Sequence, residues 1–362
     1  MTKHSAPQSL LDSVTTILPI IEQNAQKSEQ LGHLTDEVLD ALFEQRLFRL
    51  FIPQEYNGEA TDLPTALKVF ERVASADGAT GWLVMIGAGG GLFSGFLQED
   101  AARQIFSPER AVIAGSGMPS GIASSTKKGF EVSGRWAYAS GAYHASWFTA
   151  NCKVDGDDNE ITAIAVPAEQ VTIHDTWSVF GMQATGSHDF SLDSFSVAPA
   201  YTLSLFDEPL LDEPIFRCPL ETLASLSFAS VAIGIAQHAL NEFNDFAQHK
   251  RPAGSSHTLA ETSEIQRLCD QNEHLISNAR DSLYGLAQQV WVTAEAGEVP
   301  CENLLNQVQQ MGIENVQACL KAVDQLKAHA GMRAVFTDSA LGRAWRDLHV
   351  LSQHVIVTPK IN

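Results

Sequence analysis

Two arginines, an aspartate and two histidines crowd the last stretch of the chain, in the pattern Arg343-x-x-Arg346-Asp347-x-His349-x-x-x-x-His354. Leu341, Trp345, Leu348 and Leu351 recur there at three- and four-residue spacing, the mark of one amphipathic helix with a buried face. An imidazole titrates near neutrality, so His354 at the helix end can act as a base or as a hydrogen-bond donor. It equally suits a solvent-facing helix end, where a cation complements the dipole. His349 can pair with an acid or cap the helix, and His329 reads as an ordinary helix-end histidine. The three do not make a metal site, because no His-Glu-x-x-His and no carboxylate at ligand spacing accompanies them.

Three compositional zones must position these groups. The first, 1–108, reads as a helical domain. Leu10, Leu11, Val14, Leu18 and Ile21 keep helical spacing, and Thr35-Asp36-Glu37 looks like a helix start with acids in its first turn. Ile52-Pro53 through Asn57-Gly58 is a loop, and helix resumes from Leu63 to Val73. The second zone, 109–214, changes period. Phe130–Tyr138, Trp147–Asn151, Ile161–Val166 and Phe190–Leu192 alternate between turn residues, which predicts a small β-barrel or sandwich. The third, 215–362, carries three long apolar repeats that stop before Pro252, near Gly297 and near Gly331. With the tail helix they predict a four-helix bundle.

The chain has 362 residues, of which 44% are hydrophobic and 18% charged, enough for a large core. Its formal net charge is −20, with 23 basic residues in no block. Nucleic acid and anionic membrane are therefore unexpected partners, since phosphate binding needs clustered cations. The five scattered cysteines form no C-x-x-C and suit a reducing compartment. Met1–Pro7 lacks the apolar core of a secretory leader, and no run of about 18 apolar residues is present. A cytoplasmic protein is expected.

The order helices, small β-domain, helical bundle resembles the acyl-CoA dehydrogenase fold, a mainly α architecture with a central β-domain. Four segments carry the likeness over nearly the whole chain. They are Asp77-Gly78-Ala79-Thr80-Gly81-Trp82, Gly134–Trp147, Trp177-x-x-x-Gly181-x-x-x-Thr185-Gly186-Ser187, and the terminal Arg/Asp/His pattern. They are most similar to the two-component flavin-dependent monooxygenase branch. That resemblance implies bound FAD or FMN, reduced by a separate, transiently associating flavin reductase, with O2 and a small organic substrate. It implies that Ser140 meets the flavin N5, and that Tyr138 and Trp136, on one strand face with it, pack on the ring. Thr185, Gly186 and Ser187 complete the cofactor-binding set. His354 would face the flavin and hold a proton, so Ser140 and His354 are the catalytic candidates. Trp82, His144 and His349 are candidates for substrate contact. Arg343, Arg346 and Asp347 match family positions that lock the last helix into the bundle. The fold also implies a homotetramer or homodimer built through the bundle.

True acyl-CoA dehydrogenases carry a catalytic glutamate after the Arg-Asp pair, where this chain has His354 and Val355. Valine cannot abstract a proton, so desaturation lacks its base unless a carboxylate such as Asp338 substitutes. A dehydrogenase or oxidase of thioesters or nitro compounds is the alternative activity, and a non-catalytic binding module the alternative of another class. No G-x-S-x-G elbow supports a hydrolase. Two departures from the branch stand out. Ile86–Phe93 holds four glycines where the branch often has a polar residue, and reads as a broken or close-packed helix that opens room for substrate. The chain also ends eight residues after His354, where a covering tail is usual.

Overall fold

The computed structural model describes residues 7–205 and 207–360; Met1–Ala6, on which much of the leader reading rests, lie outside the described residues. Helix α1 (Pro7–Leu31) and α2 (Asp36–Glu44) come first. The predicted start of α2 is real: Thr35 caps it by accepting the Val38 amide, with Asp36 and Glu37 in the first turn. Helix α3 (Leu63–Ala74) begins at a second cap, Asp62, which accepts the Thr65 amide. Helix α4 (Gly78–Gly89) begins at a third, Asp77, whose carboxylate takes both the amide and the hydroxyl of Thr80.

The glycine run ends α4 by tightening it into a 3-10 turn, Gly90–Gly95, before α5 (Glu99–Phe106). It is close-packed at Gly87 and Gly91 and open at Gly89, where an added Cβ would meet nothing within 4 Å. A Cβ on Gly87 would sit 2.4 Å from the Phe48 ring, and one on Gly91 2.9 Å from the Ile52 amide nitrogen. At Gly87 and Gly91 these neighbours fill the room that the missing side chains would leave.

Seven strands follow: β1 (Ile113–Thr126), β2 (Gly129–Ala139), β3 (Trp147–Val154), β4 (Asp157–Pro167), β5 (Thr172–His174), β6 (His188–Val197) and β7 (Thr202–Leu203). They form one mixed sheet in the order β5-β6-β2-β1-β3-β4-β7, parallel only between β1 and β3. Phe148 on β3 and Phe190 on β6 are separated by two strands, which would hold them well over 10 Å apart in a flat sheet. Their rings lie 4.8 Å apart, so the sheet is rolled around its aromatic core. Its edge strands β5 and β7 each pair on one side, which leaves the barrel open.

Strand β1 has no apolar alternation and escapes a pattern reading. Its glycines answer to packing: a Cβ on Gly121 would fall 2.1 Å from the Trp136 ring. The ladder to β3 slips between Ser116 and Gly121, around Pro119.

The bundle comprises α6 (Leu220–His249), α7 (Ser263–Glu295), α8 (Glu302–Ala330) and α9 (Ala340–Leu351). Helix α6 is its axis. It is long and apolar enough to cross a membrane by composition, with mean hydropathy 1.5, yet 89% of that window is buried inside the protein. It also binds the first helices to the bundle. Gly234 lets α6 approach so closely that a Cβ there would lie 2.3 Å from the Glu71 carbonyl of α3. Arg280 of α7 reinforces the contact with a 2.7 Å ion pair to Glu71.

Candidate active site

Ser140 follows β2 directly and is buried. Its Oγ accepts the Trp82 indole N–H at 3.0 Å and lies 2.8 Å from Ser187 Oγ. Ser187 Oγ is in turn 2.7 Å from Thr185 Oγ1, whose hydroxyl donates to the Met182 carbonyl at 2.7 Å. Three of the expected residues therefore form one buried hydroxyl series, and Trp82 of α4 reaches across to it.

The same indole faces His354. Their ring centroids are 6.0 Å apart, and the imidazole stands edge-on to Phe228 of α6 at 4.5 Å. Trp82 and Phe228 are themselves stacked at 4.8 Å. His354 does not end the helix. Helix α9 stops at Leu351, and His354 sits in the turn beyond it. Its Nδ1 accepts the Ile356 amide at 3.3 Å, so the neutral ring carries its hydrogen on Nε2. Burial among these aromatics pushes its pKa below the usual value.

The expected common face of Trp136, Tyr138 and Ser140 is not found. Trp136 is fully buried in the rolled sheet, stacked on Phe190 and donating its N–H to the Asn151 carbonyl at 2.7 Å. Tyr138 is 68% exposed and leans edge-on toward Trp177. The cause is local. The β2–β6 ladder slips between Trp136 and Ala139, and Tyr138 adopts φ +68°, which breaks the alternation. Trp136 is a core residue here, and its assignment to the cofactor is withdrawn.

His144 lies against Phe48 and beside Gly141, with its pKa pushed down to about 4 by burial and then by His33. It is a neutral group in the N-terminal packing. His349 is also elsewhere. Its Nδ1 hydrogen is donated to the Trp345 carbonyl at 2.8 Å, its ring lies tilted against Trp345 at 4.1 Å, and its Nε2 is 3.5 Å from Asp324 of α8. It serves the α8–α9 seam, apart from the Trp82–Phe228–His354 group. His329 turns back on the Gln325 carbonyl within its own helix. Among the described residues no cluster of metal-ligating side chains occurs, and the five cysteines are free thiols.

The segment from Trp177 to Ser187 is held at both ends. His188 Nδ1 accepts the amides of Thr176 and Trp177, both at 3.1 Å. Asp347 of α9 accepts the Met182 amide at 2.5 Å. Gly181 rests on α9 itself, where a Cβ would fall 2.3 Å from the Arg346 carbonyl oxygen. Arg343 lies 3.4 Å from Asp77, the cap of α4, and Arg346 pairs with Glu29 of α1 at 2.6 Å. The Arg/Asp pattern thus fixes α9, α4, α1 and the loop to one another. Met182 and Phe228 were not legible as site residues. One acts through its backbone, and the other lies within a helix apolar on nearly every face.

The donor set fits a flavin. Ser140 Oγ keeps one hydrogen-bonding position unused in a buried place, and Tyr138 holds an exposed ring two residues away. His354, its ring 6.0 Å from that of Trp82, offers an Nε2–H. A thioester desaturase is not supported. Val355 is 81% exposed, and Asp338 is an exposed residue paired to Arg333 at 3.1 Å.

The chain is similar to known proteins over nearly its whole length. The family described as acyl-CoA dehydrogenase, C-terminal domain, matches residues 226–359. Indole-3-acetate monooxygenase of Pseudomonas putida is 26% identical over 97% of this chain and 89% of its own length. The flavin-dependent monooxygenase oxygenase subunit HsaA of Rhodococcus jostii is 24% identical over 97% of this chain and 95% of its own. The structure of XiaF from a Streptomyces species, in complex with FADH2 and glycerol, superposes with a TM-score of 0.90 at 23% identity, covering 97% of this chain and 92% of that one.

Proposed function

We propose that this chain works as a member of the acyl-CoA dehydrogenase superfamily on its flavin-dependent monooxygenase branch, a reading supported by the family match over its bundle and by its relatives. It is a flavin-dependent oxidoreductase, the oxygenase component of a two-component system, which takes reduced FMN or FAD from a separate reductase. A reduced flavin held here would supply the two electrons with which one atom of O2 enters a small organic substrate and the other leaves as water. The observation that carries the assignment of residues is Trp82, whose indole meets both Ser140 and His354.

Ser140 and the Thr185-Gly186-Ser187 turn would hold the flavin, and Tyr138 would pack beside its ring. Ser187 and Thr185 orient Ser140 through their hydroxyls. His354 keeps a neutral imidazole at the site and offers its Nε2 hydrogen there. The Trp82–Phe228 stack supplies an apolar wall that excludes water, so polar groups inside act in a low dielectric. An aromatic substrate suits that wall, in keeping with the indole compound named for one relative.

Residues 1–108, 109–214 and 215–362 are the working units, with the site where they meet. A homotetramer or homodimer would cover Met332, Val335 and Phe336, which stand exposed after α8. Free thiols suit a cytoplasmic setting.

The test supplies photoreduced FMN or FAD, O2 and a panel of phenols and indoles without any nicotinamide. Hydroxylated product is expected, with less peroxide than from free reduced flavin. Peroxide in full stoichiometry with every substrate and no binding of reduced flavin would refute the reading.

A further inference from the structure

We propose that Thr185, Ser187 and Ser140 form a one-way hydrogen-bond chain that leaves Ser140 able only to accept, so that the site selects reduced flavin over oxidised. The inference rests on the flavin reading above and gives it a direction.

The polarity starts at the Met182 carbonyl, which has no hydrogen to give. Its 2.7 Å contact with Thr185 Oγ1 must therefore use the threonine proton. A hydroxyl has one proton and two lone pairs. Thr185 can then only accept from Ser187 at 2.7 Å, which uses the Ser187 proton. Ser187 can only accept from Ser140 at 2.8 Å, which uses the Ser140 proton. The Trp82 indole is a donor only, and it fills one Ser140 lone pair at 3.0 Å. One acceptor position remains on Ser140 Oγ, and no donor.

The starting carbonyl is itself fixed. It also receives the Trp177 indole N–H at 2.9 Å and the Thr185 amide at 3.1 Å, while the Met182 amide is tied to Asp347. Held by these donors at its carbonyl and by the Asp347 acceptor at its amide, Met182 cannot turn, and the chain has no easy way to reverse. Reduced flavin carries a hydrogen on N5 and donates to the open position. Oxidised flavin presents a bare N5 that accepts, so two lone pairs would oppose each other. Thr185 and Ser187 are thus positioning residues whose hydroxyls set which redox state Ser140 welcomes. An oxygenase fed by a diffusing reductant gains from this, because the spent oxidised flavin leaves readily.

The test measures dissociation constants for oxidised FMN and for anaerobically reduced FMN on the same protein, by quenching of tryptophan fluorescence, with FAD in parallel. The wild type is expected to hold the reduced form more tightly. Thr185→Val, of equal shape, frees the Ser187 proton, and Ser187→Ala frees the Ser140 proton. Each is expected to lower the oxidised-to-reduced ratio of dissociation constants about fivefold to tenfold, the scale of one hydrogen bond. Thr185→Ser keeps the chain and should keep the ratio. A merely structural role would weaken both forms alike, and an unchanged ratio in Ser187→Ala overturns the proposal even if Thr185→Val does not fold. Wild-type binding of both forms with equal affinity also overturns it. Binding of neither form would instead refute the flavin reading itself.

Discussion

The Trp82 indole N–H donates to Ser140 Oγ at 3.0 Å, while the ring of the same residue lies 6.0 Å from the His354 imidazole. A helix of the first hundred residues, the end of a β-strand and the turn after the last helix therefore meet on one side chain. Trp82→Phe separates the two contacts, because it keeps the stack on Phe228 and removes the donor. Loss of about 1–2 kcal/mol in urea unfolding is expected from the missing hydrogen bond and the small cavity. Product per reduced flavin should fall and peroxide rise. Wild-type yields of both would show that the indole N–H has no part in holding Ser140.

His354 gives a pH dependence with a definite sign. Burial lowers its pKa, and the Ile356 amide donates to Nδ1, a bond that the neutral ring with its hydrogen on Nε2 preserves. The unfolded ring takes up its proton near pH 6.5 while the folded ring resists. This stability is therefore present above 6.5 and is lost as pH falls through the folded value. The acid limb of the product-yield profile is expected below 6.5. His354→Asn should abolish that limb and lower yield about 100-fold, the usual scale for a positioned proton donor. A limb that persists in His354→Asn would assign it to another group.

How far the sequence led is visible in particular residues. The helix start at Thr35 and the long bundle helices were legible, because caps and apolar spacing are local signals. Strand β1 was not, since its small residues answer to the Trp136 ring on a neighbouring strand. The shared face of Trp136, Tyr138 and Ser140 failed for a related reason. A ladder slip and one left-handed residue cancel a period-two rule, and neither leaves a mark in residue type. Ser140, Thr185 and Ser187 did come together, but the direction of their hydrogen bonds depends on a backbone carbonyl that sequence does not place.

Asp347 predicts the opposite slope. It is fully enclosed, its Oδ2 has no partner, and burial followed by the Asp77 charge pushes its pKa from 3.8 up to about 7. A raised acid contributes stability that is complete below its unfolded value and is lost as pH climbs to the folded one. Between about pH 4 and 7 the protein therefore loses stability through this group as pH rises. Asp347→Asn still accepts the Met182 amide but carries no charge at any pH. Its melting temperature should exceed the wild type's more at pH 8 than at pH 5. Equal pH profiles for the two proteins would show that the carboxyl ionises as readily folded as unfolded.

Gly181 tests whether the loop must rest on α9. A methyl group there would lie 2.3 Å from the Arg346 carbonyl oxygen and 2.4 Å from its carbon, and neither backbone atom can swing aside. Gly181→Ala must therefore lift the loop away from the helix, stretching the bond from the Met182 amide to Asp347. About 1–3 kcal/mol of stability should be lost, as for other overpacked contacts. The Met182 carbonyl moves with the loop, so Thr185, Ser187 and Ser140 lose their fixed orientation. Affinity for reduced flavin should fall further than the loss of folded protein explains, measured well below the variant's melting temperature. A variant that is less stable but binds reduced flavin like the wild type would separate the α9 clamp from the hydroxyl series and confine its role to folding.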